Sequence, residues 1–342
     1  MRPFSYARAD DLAQATQLGI MTGRGATDAG TQFLAGGTTL IDLMKLDVLR
    51  PTRVVDIGSL AGGLGAIELG PHGLRLGALA RMAEAADHPQ VRTRYPVIAE
   101  SLVLAASAQL RNMATLGGNV LQKTRCPYYR NTVWAACNKR EPGSGCTAIG
   151  AFNRNHAILG VDRSCIAQYA GDFAIALVAL DAQTELRGPH GTRRIPFSSL
   201  HRDPQGHPEI ETNLEPGEII VGFEVPAMSW FRRSLYLKVR DRTSYEFALA
   251  SAAVALDLSG QTVREVRIGL GGMAYRPWRA TTAEEFLVNK VLNEANALAA
   301  ADLALQGAQT HGRNGFKPTL ARQTIVRALL QARDLPLEEQ AA

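Results

Sequence analysis

The sequence predicts an α+β protein in two parts, and three observations carry that prediction. From residue 3 to about 225, helical apolar spacing alternates with short β-like runs. From about residue 248 the pattern changes to a strand hairpin followed by alanine-rich helices. Between them, residues 121–168 break both periodicities and carry all four cysteines. At roughly 150 residues per domain, 342 residues suit two to three domains.

The composition narrows the class. Apolar residues at 46% and charged residues at 20% exclude a disordered tail, a collagen-like fibre and a coiled coil. Aromatics at 6% require an aliphatic core. No run of apolar residues is long enough for a membrane-spanning helix. The N-terminus, with Arg2 and then Asp10 and Asp11, lacks the apolar stretch of a secretory signal, so export would need a partner to carry the chain. The net charge of +5 comes without a basic stripe interleaved with aromatics, and no nucleic-acid partner is expected.

Asp10 and Asp11 open a helix running to about Thr22, with Leu12, Ala15 and Leu18 on one face. Gln32–Ala35 is a strand, Gly36–Thr39 a tight loop, Leu40–Leu49 a helix and Arg53–Ile57 a strand. A strand at Gly73–Gly77 and helices at Leu79–Asp87 and Val97–Ala108 follow, and Arg111–Val120 reads as irregular. Asp172–Ala182 is helical, and residues 192–225 give short strands. Pro226 and residues 227–233 form the boundary between a domain at 1–230 and one at 231–342. Ala248–Leu258 and Val263–Met273 pair as a hairpin, Thr281–Glu284 forms a capping box, and helices run to about Gln309 and over Thr319–Arg333.

Two loops have the character of anion sites. Gly36-Gly37-Thr38-Thr39 joins a strand to a helix, where glycine lets backbone approach an anion and the helix offers free N–H groups. The competing explanation is a plain cap, Thr39 with Asp42. Ala114-Thr115-Leu116-Gly117-Gly118-Asn119 has the same small and hydroxyl character, and neither loop is a Walker loop. Gly269–Ala274 imitates a dinucleotide fingerprint, but Tyr275-Arg276-Pro277 stands where a helix must start, so it reads as a strand end. The seven histidines are scattered beside Pro and Gly, as in surface loops, and no hydrolase motif is present. Asp172 reads as a helix cap, and Lys238 as part of a solvated strand face.

Cys126, Cys137, Cys146 and Cys165 are separated by ten, eight and eighteen residues. The short knuckles usual for zinc are missing. Disulfides and plain buried thiols remain open, as does an iron–sulfur cluster, whose thiolates can converge from irregular loops. Lys123, Arg125, Arg130, Lys139 and Arg140 against Glu141 alone, with the amides of Gly143 and Gly145, would offset the negative charge of a cluster.

Taken together, Leu34-Ala35-Gly36-Gly37-Thr38-Thr39-Leu40, then Ala114–Asn119, then Gly217-Glu218-Ile219-Ile220 before Val225-Pro226, resemble the FAD-binding subunits of molybdenum hydroxylases. That family includes xanthine dehydrogenases, aldehyde oxidoreductases and carbon monoxide dehydrogenases. The segments around Cys126 and Cys137–Cys146 resemble more narrowly the flavin subunit of bacterial periplasmic aldehyde oxidoreductase, with that of 4-hydroxybenzoyl-CoA reductase next. The resemblance implies a vanillyl-alcohol-oxidase-type FAD domain in two subdomains, then a smaller α+β domain. It implies FAD held by Leu34–Leu40, Thr115, Gly118, Asn119, Asp172, Ile219, Ile220 and Lys238, and a [4Fe–4S] cluster on Cys126, Cys137, Cys146 and Cys165. It further implies a molybdopterin-binding large subunit and a [2Fe–2S] small subunit as partners, an external electron acceptor, a periplasmic complex exported with a partner (or a cytoplasmic one), and no acid–base catalyst in this chain.

Overall fold

A computed structural model describes residues 1–20 and 30–336. Thr22, the expected end of the first helix, lies outside them. The first unit runs β1 (Ser5–Arg8), α1 (Leu12–Gly19), β2 (Thr31–Leu34), α2 (Leu40–Lys45) and β3 (Arg53–Asp56). Its strands are parallel in the order β1-β3-β2, as helical crossovers require. Asp11 caps α1 by accepting from the Gln14 N–H at 2.7 Å. The second helix stops before the predicted Leu49, because Asp47 takes φ 57° and the Val48 amide folds back onto the Leu43 carbonyl.

The second unit is a five-stranded antiparallel sheet in the order β4-β5-β8-β6-β7, with helices packed against it. It comprises β4 (Ile67–Gly70), β5 (Gly73–Gly77), α3 (Met82–Asp87), α4 (Pro96–Val103), α5 (Ala108–Met113), α6 (Leu116–Val120), α7 (Phe173–Ala179), β6 (Gln183–Gly188), β7 (Gly191–Pro196) and β8 (Ile219–Pro226). Two expectations are corrected here. The single helix over Val97–Ala108 is broken at Ala106, which takes φ 50°. Arg111–Val120 is not irregular but holds the end of α5 and all of α6, capped by Ser107 and Thr115. Gly117 and Gly118 are poor helix formers, so tertiary bonds hold α6 in place: Leu116 N–H to the Ala80 carbonyl at 3.0 Å and Gly117 N–H to Ala78 at 2.8 Å.

After a turn at Ser229–Arg232, the third unit pairs β9 (Ser234–Val239), β10 (Ala250–Ser259), β11 (Thr262–Gly271) and β12 (Trp278–Arg279) in the order β12-β11-β10-β9. Helices α8 (Thr281–Leu287), α9 (Glu294–Ala304) and α10 (Lys317–Arg333) follow. The predicted hairpin is present, turning at Gly260 with φ 60°. Alternate residues of β10 feed two cores: Ala253 and Ala255 face the core containing α7, while Ala252, Val254 and Leu256 join that of α9 and α10. Burial on both faces explains its unbroken apolar run. The false fingerprint also has a packing reason, since a Cβ on Gly269 would stand 2.5 Å from the Ile175 carbonyl of α7. The capping box at Thr281 does not form. Ala280 is the cap, and Glu284 instead accepts from the Ile268 N–H of β11 at 2.6 Å and pairs with Arg279.

Candidate cofactor sites

The two glycine loops meet. The first leaves the C-terminal end of β2, where open parallel sheets place their ligands, and the second leads into α6. A Cβ on Gly36 would lie 2.0 Å from the Met113 carbonyl oxygen, and Gly37 takes φ 72°, so both positions need glycine. The Thr115 hydroxyl accepts from the Gly118 N–H at 3.3 Å. The Thr39–Asp42 cap is absent: Thr39 makes no side-chain cap bond, and Asp42 accepts from Arg130 at 2.7 Å with Arg125 at 3.8 Å.

Thr38, Thr39, Asn119 and Asp172 line a cavity of about 650 Å³. A second cavity, of about 610 Å³, shares Gln122, Thr124 and Gln168 with it, so the two are adjacent. Four buried polar atoms on the wall of the first have no partner: Asn119 Oδ1, Arg125 Nε, Arg130 Nη1 and His156 Nδ1. Unsatisfied buried polar groups are costly; here they mark a surface built for a polar ligand. The two guanidiniums share the single Asp42 carboxylate, and Arg125 Nε and Arg130 Nη1 are left without hydrogen-bond partners. Burial and the neighbouring Arg130 hold Arg125 below its usual range.

Asp172 and Lys238 form one unit. The Lys238 ammonium donates to Asp172 at 2.8 Å and to the Leu104 carbonyl at 3.0 Å, and the Tyr236 hydroxyl donates to Asp172 at 2.8 Å. Only 1% of the Lys238 side chain is exposed, so it is no solvated strand face, and Asp172 makes no cap bond. Burial pushes the Asp172 carboxyl up, against the pull of Lys238 and Tyr236. Asp172 thus faces the cavity with Lys238 behind it. Leu34 and Leu40 pack into the small core beneath α2, and Ala35 into the neighbouring one. Ile219 and Ile220 are buried in core clusters and are not on the wall of either cavity, although Gly217 and Glu218 border the second.

The four cysteines come together around a small cavity of their own, and all are free of disulfides. Short turns at Pro127–Arg130 and Thr147–Gly150 follow Cys126 and Cys146. Cys137 and Cys146 face each other across an isolated bridge, closed by Asn138 N–H to the Gly145 carbonyl at 2.7 Å. Asp162 Oδ1 accepts from the Ser164 and Cys165 N–H groups, turning Cys165 inward. The Ala167 N–H donates to Cys165 Sγ at 3.5 Å, and nearby peptide N–H groups pull the other thiols downward: those of Tyr128 and Tyr129 on Cys126, Lys139 and Arg140 on Cys137, and Ala148, Ile149 and Ile166 on Cys146. Burial pushes Cys126 up to about 12 and also raises Cys137. A bond between the other two thiols lowers Cys146 and raises Cys165. Among the described residues no three His, Cys, Asp or Glu side chains converge on a point fit for a single metal ion.

The expected charge offset works differently from its sequence reading. Arg140 is spent on the Tyr128, Tyr129 and Trp134 carbonyls, and Lys123 and Lys139 pair with Glu211. Gly145 N–H is taken by Asn138 Oδ1 at 2.7 Å. Lys139 and Arg140 act on Cys165 and Cys137 only at a distance, while the Ala167 N–H donates directly to Cys165 Sγ. Sequence reasoning also missed His156, which is 4% exposed and not in a surface loop. Burial holds it down at about 4. The apolar run Ala157-Ile158-Leu159 just after it was the available signal.

Two family models match almost the whole chain. The family described as "FAD binding domain in molybdopterin dehydrogenase" matches residues 2–228, and "CO dehydrogenase flavoprotein C-terminal domain" matches 235–332. The aldehyde oxidoreductase FAD-binding subunit PaoB of Escherichia coli K12 is 41% identical, covering 97% of this chain and 99% of that one. The glyceraldehyde dehydrogenase medium chain of Sulfolobus acidocaldarius is 27% identical over 85% of this chain and 83% of its own. Among solved structures, carbon monoxide dehydrogenase from Hydrogenophaga pseudoflava superposes with a TM-score of 0.74 at 26% identity, covering 97% of this chain and 98% of that one.

Proposed function

The chain belongs to the FAD-binding subunits of the molybdenum hydroxylases, and from that premise we propose that it is the FAD- and [4Fe–4S]-bearing electron-transfer subunit of a heterotrimeric aldehyde oxidoreductase. Aldehyde oxidation then belongs to a molybdopterin-bearing large subunit. A [2Fe–2S] small subunit delivers the electrons, and an external acceptor removes them. The observation that carries the finer reading is the gathering of four free cysteines around one cavity, with Cys126 bordering the large cavity as well.

FAD supplies, when bound, a carrier that links one- and two-electron chemistry. The residues present fit it. The glycine loops would hold the diphosphate on backbone N–H groups, with Arg125 and Arg130 offering spare donors. Asp172, fixed by Lys238 and Tyr236, would accept from cofactor hydroxyls. The cysteine set fits a cluster rather than a single ion: all four cysteines line one cavity, and peptide N–H groups near each thiol favour its ionised form. Buried thiols ionise readily only beside a compensating charge, which a metal centre supplies. No helix among the described residues is long and apolar enough to cross a membrane. We place the complex in the periplasm; fractionation of cells into periplasm and cytoplasm tests this.

The test of the main reading is a visible spectrum of anaerobically purified protein with iron and acid-labile sulfide assayed on the same sample. A flavin band with about four iron and four sulfide per chain is expected. Flavin without iron would remove the cluster and leave the family assignment standing.

A further inference from the structure

Cys126 is the one cysteine whose side chain borders both cavities, and His156 touches it there. His156 Nε2 lies 3.2 Å from Cys126 Sγ. The His156 backbone is fixed by its N–H donating to the Asn153 carbonyl at 3.0 Å and its carbonyl accepting from the Asn314 side chain at 3.4 Å, and the Tyr128 ring packs beside the imidazole at a tilt of 37°. Asn153 is itself pinned, donating to the Ala148 carbonyl at 3.0 Å and accepting from the Arg313 N–H at 2.9 Å. The other ring nitrogen of His156, Nδ1, is buried with no hydrogen-bond partner, on a residue that lines the large cavity. In a neutral ring one nitrogen donates and the other accepts. A donor toward sulfur leaves Nδ1 as an acceptor without a partner.

We propose that His156 is the positioning residue that joins the cysteine centre to the flavin cavity, its Nε2–H bonded to the Cys126 sulfur and its Nδ1 accepting from a ring N–H or ribityl O–H of FAD. The inference rests on the reading above, in which both groups are present. It assigns Cys126 as the edge of the centre nearest the flavin. An N–H donor on a ligating sulfur stabilises the more negatively charged, reduced state of a cluster, so it raises the potential. A free acceptor on the cavity wall orients the flavin from the same side chain.

The variants His156→Phe, which keeps the ring volume, and His156→Gln, which restores an N–H donor, separate these roles in the intact complex. Iron, sulfide and flavin contents come first, followed by a spectroelectrochemical titration of each bound group. The expected result is a normal cluster in His156→Phe with its midpoint potential shifted to more negative values and its flavin less tightly retained. His156→Gln returns the potential most of the way to wild type. A His156→Phe protein with full iron and an unshifted potential overturns the proposal. Loss of iron from both variants overturns it too, by making His156 purely structural; loss from His156→Phe alone supports the need for the donor. A wild-type complex without iron refutes the cluster reading itself, an outcome recognised before any variant is made.

Discussion

Gly36→Ala tests the meeting of the two loops most directly. The added Cβ would stand 2.0 Å from the Met113 carbonyl oxygen, 2.8 Å from its carbon and 3.1 Å from Ala114 Cα, all of them backbone atoms. No rotamer relieves such a contact, so the loops must part by about 1 Å, at a cost of about 1–3 kcal/mol as for other overpacked sites. Met113 cannot simply yield, because its carbonyl also accepts from Arg81 and the adjoining Ala114 carbonyl accepts from the Met82 N–H at 2.9 Å. If the strain falls on the FAD site, each 1.4 kcal/mol weakens binding about tenfold, so a loss of roughly 10- to 100-fold in FAD affinity is expected. The assay is titration of flavin-depleted protein with FAD, followed by flavin fluorescence, with circular dichroism as the control for folding. Gly62→Ala is the matched control, since nothing lies within 4 Å of its added Cβ, and it should bind FAD as wild type does. Wild-type affinity in a folded Gly36→Ala protein would refute the placement of FAD between the loops.

Lys238→Met strands the Asp172 carboxylate in the interior; breaking a buried pair from one side costs about 3–5 kcal/mol. The double variant Lys238→Met, Asp172→Asn should recover most of that in thermal unfolding, and equal losses in single and double variants would argue against the pair. Glu211 sits between Lys123 and Lys139, whose charges hold it at about 2 although burial alone would raise it. Its folded value lies below its unfolded one, so its contribution, about 3 kcal/mol, is present above pH ~4.5 and lost as the pH falls toward ~2. Glu211→Gln should therefore be less stable than wild type at pH 7 and converge with it near pH ~2 in acid-unfolding curves; a constant gap at every pH would mean the lysines do not set its ionisation. Cys146→Ala should strip the iron while FAD binding persists, because only Cys126 among the cysteines borders the large cavity; loss of both together would show that the cysteine segment is needed to build the flavin site.

Much of this arrangement can be read from local pattern. Asp11 as a helix cap, the hairpin turning at Gly260 and the strand before Gly36 all follow from rules acting within a few residues. The glycine loops and the cysteine segment declared themselves because their chemistry demands residue types that packing alone does not. Where sequence reasoning failed, the deciding partner lay far along the chain. The Arg111–Val120 stretch looked irregular because its support comes from Ala78 and Ala80. Glu284 left its capping box for Ile268 and Arg279. His156 passed for a loop histidine because Asn314 and Cys126, its anchors, are remote in sequence.

By itself the sequence determined many of the elements, the segment that carries the thiols and which loops can approach an anion, since propensity, periodicity and glycine content act locally. It could not place Lys238 behind Asp172, Asn119 and Arg125 on a common wall, or Cys126 at the border of two cavities. The first joins a strand and a helix 66 residues apart, and the others depend on walls built from several distant segments. Only when the three sheets pack does burial choose which polar groups must pair and which are left facing the cavity.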